Sequence, residues 1–153
     1  MAEPTAASSS FGSQALDSMV ERLNGTSDPR RRYEYVLWLA KKLPPMSPDL
    51  QTDAVKVKGC VSQVHVLGEL VEGRLHWQGD SDALITRGLL AMLIQGLSNL
   101  TPEQVMAVNP SFIEATGLQG SLTPSRANGF LNILLNMKAQ AQQLARVSSS
   151  TTS

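Results

Sequence analysis

Apolar residues recur at helical spacing along most of the chain and alternate with polar ones in its middle. Leu16, Met19, Val20 and Leu23 follow the i, i+3, i+4, i+7 spacing of an amphipathic helix, and Gly25 is placed to end it. Asp28-Pro29 supplies an N-cap and a first-turn proline. The helix it starts buries Tyr33, Val36, Leu37, Ala40 and Leu43 and stops at Pro44-Pro45. After a loop over Pro48–Asp53, Ala54–Lys58 alternates and predicts a short strand. Val61–Leu70 predicts a longer strand and Arg74–Gln78 another, with Leu75 and Trp77 on one face. Glu72-Gly73 between them predicts a two-residue hairpin turn. With that turn, cross-strand partners sum to about 145, so His65 faces Asp80. Cys60 then falls beyond the end of its partner strand, at the sheet's rim, near Asp80-Ser81-Asp82.

Residues 82–97 are apolar on several faces, which predicts a centrally buried helix; Gly88 and Ala91 leave room for close packing. Thr101-Pro102-Glu103-Gln104 is a capping box ahead of a helix that ends before Pro110. A short piece over Ser111–Thr116 stops at Gly117. Thr123-Pro124 caps the last helix, whose core stripe is Phe130, Ile133, Leu134, Met137, Ala141 and Leu144. Residues 1–12 and 147–153 read as disordered tails. Between them, residues 13–146 predict one α+β domain, a small antiparallel sheet packed against several α-helices. There is no internal repeat.

Charge narrows the functional classes. Thirteen basic and 13 acidic residues cancel, and the isoelectric point is near 6.7. A general nucleic-acid binder needs a basic surface, so none is expected. Arg30-Arg31-Arg32 is a short exception, either a solvated face or a docking patch. No apolar run approaches the ~20 residues that span a bilayer, so no membrane partner is expected. The first 13 residues lack a secretion signal's charged start and apolar core, and the arginines of a transit peptide. A cytoplasmic protein is expected, or a plastid stromal one whose transit peptide has been removed.

One cysteine in 153 residues cannot form an internal disulfide. Cys60 follows Gly59, with Lys56 and Lys58 just upstream. A lone cysteine is either a small buried hydrophobe or a presented nucleophile whose thiolate nearby cations favour. Lys56, Lys58 and Arg126 are candidates for lowering its pKa, although lysines on a strand's polar face are often merely solvated. Ser62 either hydrogen-bonds the sulfur or fixes the loop. A Cys-His hydrolase needs an oriented base. His65 lies at an odd offset from Cys60, so along a regular strand the two face opposite ways. Zinc sites need several ligands at fixed spacing, and His65 and His76 do not face each other. No phosphate-binding glycine motif is present. Sulfur transfer asks only for access, some thiolate character and shelter for the product.

Three segments, in order, carry a family resemblance. Gly59-Cys60-Val61-Ser62-Gln63-Val64 resembles the G-C-x-S-x-V segment of the SufE/CsdE sulfur-acceptor proteins. Gly79-Asp80-Ser81-Asp82-Ala83 is similar to that family's G-D-S-D-A, and Leu122-Thr123-Pro124-Ser125-Arg126 to its L-T-P-S-R. The resemblance spans residues 13–145. His65 departs from it, standing where members usually carry Trp. The resemblance implies a SufE/IscU-like fold. It implies that Cys60 accepts persulfide sulfur from a pyridoxal-phosphate cysteine desulfurase of the SufS or CsdA type, stimulates it, and passes sulfur to an iron–sulfur scaffold. The pyridoxal phosphate belongs to the partner, so no cofactor is expected here. Gly59, Ser62, Asp80, Asp82 and Arg126 take supporting roles. Asp82, expected in the first turn of the apolar helix, is placed to hold the Cys60 loop inward through hydrogen bonds or a pair with Lys58 or Arg126. Asp80 or Ser81 is alternatively a helix cap, and Arg126 the partner of an aspartate. Rival readings are a cysteine redox sensor and a plain interaction domain. An IscU-type scaffold needs about three cysteine ligands, and this chain has one.

Overall fold

The computed structural model describes residues 11–60 and 62–151. The first ten residues of the expected N-terminal tail, the strand start expected at Val61, and residues 152–153 lie outside them. In chain order the elements are α1 (Gln14–Leu23), α2 (Pro29–Lys42), β1 (Val64–Val71), β2 (Arg74–Ser81), α3 (Leu84–Leu97), α4 (Pro102–Met106), α5 (Phe112–Ala115) and α6 (Pro124–Thr151), with short 3-10 turns at Pro48–Leu50, Asp53–Val55 and Leu118–Gly120.

The hairpin has the expected register: Val64 pairs with Ser81, His65 with Asp80 and Val71 with Arg74. Glu72 and Gly73 both have positive φ, 53° and 81°, which is the type I′ turn that matches strand twist. Val64, Val66, Leu75 and Trp77 point into the core. Both outer edges are partly occupied, which blunts the hazard of an open strand. Leu75 exchanges backbone hydrogen bonds with Leu100 and Asn99. On the β1 side the Gln140 amide from α6 accepts from Gly68 N–H at 2.9 Å and donates to the Val66 carbonyl at 2.8 Å. The strand expected over Ala54–Lys58 does not form. Asp53–Val55 is a 3-10 turn, and Lys56 makes only an isolated bridge to His65.

α3 is the central element. Eleven of its residues are buried, with α2 on one side, β2 on another and α1 and α6 beyond. It starts at Leu84, two residues later than the sequence predicts. The core stripe of α6 is buried from Phe130 to Ala141, with Leu144 packed against its edge. Thr123 Oγ1 accepts from Arg126 N–H at 3.3 Å and caps that helix. α6 runs on to Thr151, into the segment that reads as tail. Phe11 also belongs to the fold. Its ring meets Phe112 edge-on at 6.4 Å, and its N–H donates to the Asp17 carboxylate at 3.1 Å. Within the arginine run, Arg32 is structural and donates to the carbonyls of Leu23, Thr26 and Gly117.

Candidate functional site

Cys60 lies four residues before β1, on the rim where the register expectation put it. Gly59 makes this position. Its φ is +82°, and a Cβ there would approach the Asn132 amide nitrogen to 2.8 Å. Only glycine adopts that conformation without strain. Asn132, on α6, donates from Nδ2 to the Gly59 carbonyl at 2.9 Å. On the far side of the cysteine, Gln63 N–H donates to Asp82 Oδ1 at 2.9 Å, and Asp82 N–H donates to the Gln63 carbonyl at 3.2 Å. Gln63 and Asp82 are the next pair in the hairpin register. A side-chain carboxylate therefore closes the ladder where the backbone strand has ended, and the cysteine loop is pinned on both sides.

Cys60 is half-buried and faces a cavity of ≈10 Å³ lined by Ser62, Thr86, Ser125, Arg126 and Gly129. That is about the room of one water-sized atom. The thiol makes a long contact of 3.8 Å to the Gly129 carbonyl. Arg126 donates from Nη1 to Thr86 Oγ1 at 3.0 Å, and the Thr86 and Ser62 hydroxyls lie 3.4 Å apart. The guanidinium is thus held at the cavity by a hydroxyl, not by an aspartate.

Burial pushes the Cys60 thiol above its ordinary pKa, because the half-buried site disfavours the thiolate. This corrects the expectation that cations lower it. Lys56 and Lys58 line a separate groove of ≈440 Å³ with Asp53, Asn132 and Leu135, not the thiol's cavity. The pH dependence follows in sign. A raised pKa lowers the thiolate fraction at neutral pH, so alkylation of Cys60 should be slower at pH 7 than that of a small-molecule thiol. Its rate should still be climbing above pH ~8.5, the ordinary thiol range. A plateau below that range, in a stopped-time iodoacetamide profile read by mass, would show a stabilised thiolate instead.

The remaining expected site residues divide. Of the alternatives for Asp82, hydrogen bonds or a pair with Lys58 or Arg126, the structure has the hydrogen bond, from Gln63 N–H, made from ahead of α3 rather than inside it. Asp80 does not reach the cysteine loop. Its carboxylate accepts from Met46 N–H at 3.3 Å and Ser81 N–H at 2.8 Å and pairs with Arg87 at 3.0 Å, tying the segment after α2 to α3. Ser81 Oγ accepts from Ala83 N–H at 3.3 Å. Thr86, Gly129 and Asn132 were not expected. Ser125, Gly129, Asn132 and Asn136 stand at i, i+4, i+7 and i+11, a small and polar stripe beside the apolar one on α6. That stripe was the available signal for a loop lying against this helix.

Comparisons with known proteins identify the family. The family model described as SufE, Fe-S metabolism associated domain, matches residues 17–141. The chain belongs to the SufE family. A SufE-like protein of Synechocystis is 53% identical over 126 residues, covering 82% of this chain and 79% of the relative. A Plasmodium vivax protein named cysteine desulfuration protein SufE is 45% identical over 74% of this chain, which spans 46% of that relative. An Arabidopsis thaliana protein named SufE-like protein 1, chloroplastic/mitochondrial, is 38% identical over 84% of this chain, which spans 35% of it. The solution structure of a hypothetical protein from Thermus thermophilus superposes with a TM-score of 0.74 at 25% identity, covering 86% of this chain and 96% of that one. The α+β fold read from the sequence is therefore the SufE fold. Among the described residues, no helix is long and apolar enough to cross a membrane.

Proposed function

We propose that Cys60 accepts sulfur from the persulfide of a cysteine desulfurase and passes it toward iron–sulfur cluster assembly. The observation that carries this is a lone thiol on a glycine-set loop, facing a cavity the size of one further atom. The Cys60 thiolate attacks the outer sulfur of the donor's persulfide. A new S–S bond forms, the donor's S–S bond breaks, and the donor cysteine leaves as a thiolate. No electrons are gained or lost overall. The outer sulfur, now on Cys60, is sheltered in the cavity. There Arg126, held by Thr86, supplies a positive charge beside the persulfide anion, and Ser62 supplies a hydroxyl. Gly59 lets the loop make its turn, and Asp82 sets where it rests.

The pyridoxal phosphate belongs to the desulfurase, of the SufS or CsdA type. The cavity beside Cys60 supports sheltering over sensing, since a peroxide sensor presents an exposed thiolate to solvent. A free thiol of this kind suits a reducing compartment, the cytoplasm or a plastid stroma.

Intact mass after incubation with a desulfurase and cysteine tests the reading. The protein should gain the mass of one or more sulfur atoms, removed by reductant, and Cys60→Ser should gain none. Equal labelling of the serine variant would end the acceptor assignment.

A further inference from the structure

The face formed by α1 and α2 carries an open groove of ≈450 Å³ whose lining includes Met19, Arg22, Tyr35, Trp38, Lys42 and Gln95. Trp38 is 46% exposed, whereas the other tryptophan, Trp77, is 8% exposed. Tyr35 and Trp38, one helical turn apart on α2, stack with ring centres 5.8 Å apart. The Arg22 guanidinium lies 5.9 Å from the Tyr35 ring centre, and the Lys42 ammonium 4.5 Å from that of Trp38. Each ring is thus paired with a cation, which holds two long side chains in place before anything binds. No carboxylate lines the groove. Glu21 and Glu34, the acids adjacent in sequence to Arg22 and Tyr35, are not part of the lining. Exposed aromatic residues beside arginine are the composition of interface anchor points.

We propose that this groove docks an acidic segment of a partner protein, with an apolar side chain packed on Tyr35 and Trp38 and carboxylates meeting Arg22 and Lys42. Charge complementarity selects this occupant. A two-fold contact with a second copy would bring the same cations to face each other. The ten residues before Phe11 hold one carboxylate, Glu3, and no aromatic ring. The groove is also separate from the cysteine. Thr86, at the N-terminal end of α3, lies beside Ser62, while Gln95 reaches the groove from nine residues further on, about 13 Å along the helix. A partner held here leaves Cys60 free to meet another protein. The proposal stands without the sulfur chemistry, and Cys60→Ser should leave it unchanged.

The test uses the full chain and a synthetic amphipathic peptide of Glu, Leu and Phe, with a matched peptide carrying Lys in place of Glu. Calorimetry gives the affinity and Trp38 emission reports the site. The acidic peptide should bind saturably and shift the emission to shorter wavelength. Binding should weaken about tenfold in the Arg22→Glu, Lys42→Glu double variant and be lost in Trp38→Ala, with far-UV spectra unchanged. These side chains are exposed, so the fold does not depend on them. Equal binding of the lysine peptide, no binding of either, or undiminished binding by the double variant would overturn the proposal. A dimer in sedimentation that dissociates on Trp38→Ala would assign the groove to self-association instead. A change in Trp38 emission on deleting residues 1–10 would assign it to the chain's own N-terminus.

Discussion

Gly88→Ala should lower the melting temperature by about 4–8 °C, although alanine is the better helix former. Gly88 sits in the middle of α3, where α2 crosses it. A Cβ at Gly88 would lie 2.1 Å from the Val36 carbonyl oxygen and 2.6 Å from its Cγ1. The nearest atom is backbone, so no rotamer change relieves the contact and α2 has to move as a body. Overpacking of this kind costs about 3 kcal/mol, against about 1 kcal/mol gained in helix propensity. The net loss of about 2 kcal/mol gives the stated shift for a domain of this size. Gly120→Ala is the control. Its Cβ would meet nothing within 4 Å and its φ is not positive, so the change should fall within about 0.5 kcal/mol of neutral. A Gly88→Ala protein as stable as the parent, by thermal or urea unfolding, would show that α2 and α3 are not in fixed contact here.

That close approach was readable in the sequence, because a glycine inside an otherwise apolar helix has no local purpose. The hairpin register was readable for a similar reason. Glu72-Gly73 leaves room for one turn geometry, and alternation fixes which faces meet. Ala54–Lys58 alternates, but it meets β1 only at Lys56 and Val57, too briefly for a strand. Val57 is buried and its N–H reaches the Val64 carbonyl at 2.8 Å, yet the preceding residues curl into a 3-10 turn. Phe11 carries no local signal of its place in the fold, because its partner, Phe112, lies far along the chain and no periodicity links the two.

The candidate site was readable at Cys60 and less so around it. Cys60 and Arg126 line one cavity, and both come from short motifs at element ends. Asp80 and Asp82 stand two apart, and the sequence could not separate their jobs. The register could. Asp82 is the next pair after Val64–Ser81, so its carboxylate meets Gln63, whereas Asp80, opposite His65, turns to Arg87 and Met46. The lysines misled because their distance in sequence from Cys60 said nothing about which side of the loop they occupy. Burial, which no local pattern records, decides the direction of the thiol's pKa.

Asp82→Arg should expose the thiol while the domain stays folded. The Asp82 carboxylate is exposed, lies outside α3, and its side chain accepts one backbone N–H, that of Gln63. Its loss therefore costs about 1 kcal/mol, and the far-UV spectrum should not change. The loop loses the side-chain half of its Gln63 fastening, while the Asp82 N–H to Gln63 carbonyl bond and the Asn132 bond to the Gly59 carbonyl remain. If opening gates reagent access, that 1 kcal/mol appears as roughly a fivefold faster alkylation of Cys60. An arginine also adds a positive charge near the thiol, which by itself would favour the thiolate. Two further variants separate the causes. Asp82→Asn keeps an oxygen acceptor and should react nearly as the parent does. Asp82→Ala has neither acceptor nor charge and should react nearly as fast as Asp82→Arg. Rates compared at equal thiolate fraction, from the pH profile of each variant, remove what remains of the charge effect. An alkylation rate unchanged in Asp82→Ala would mean that the Gln63 tether does not hold the cysteine loop, and would leave Asn132 and the packing against α6 as what keeps Cys60 inward.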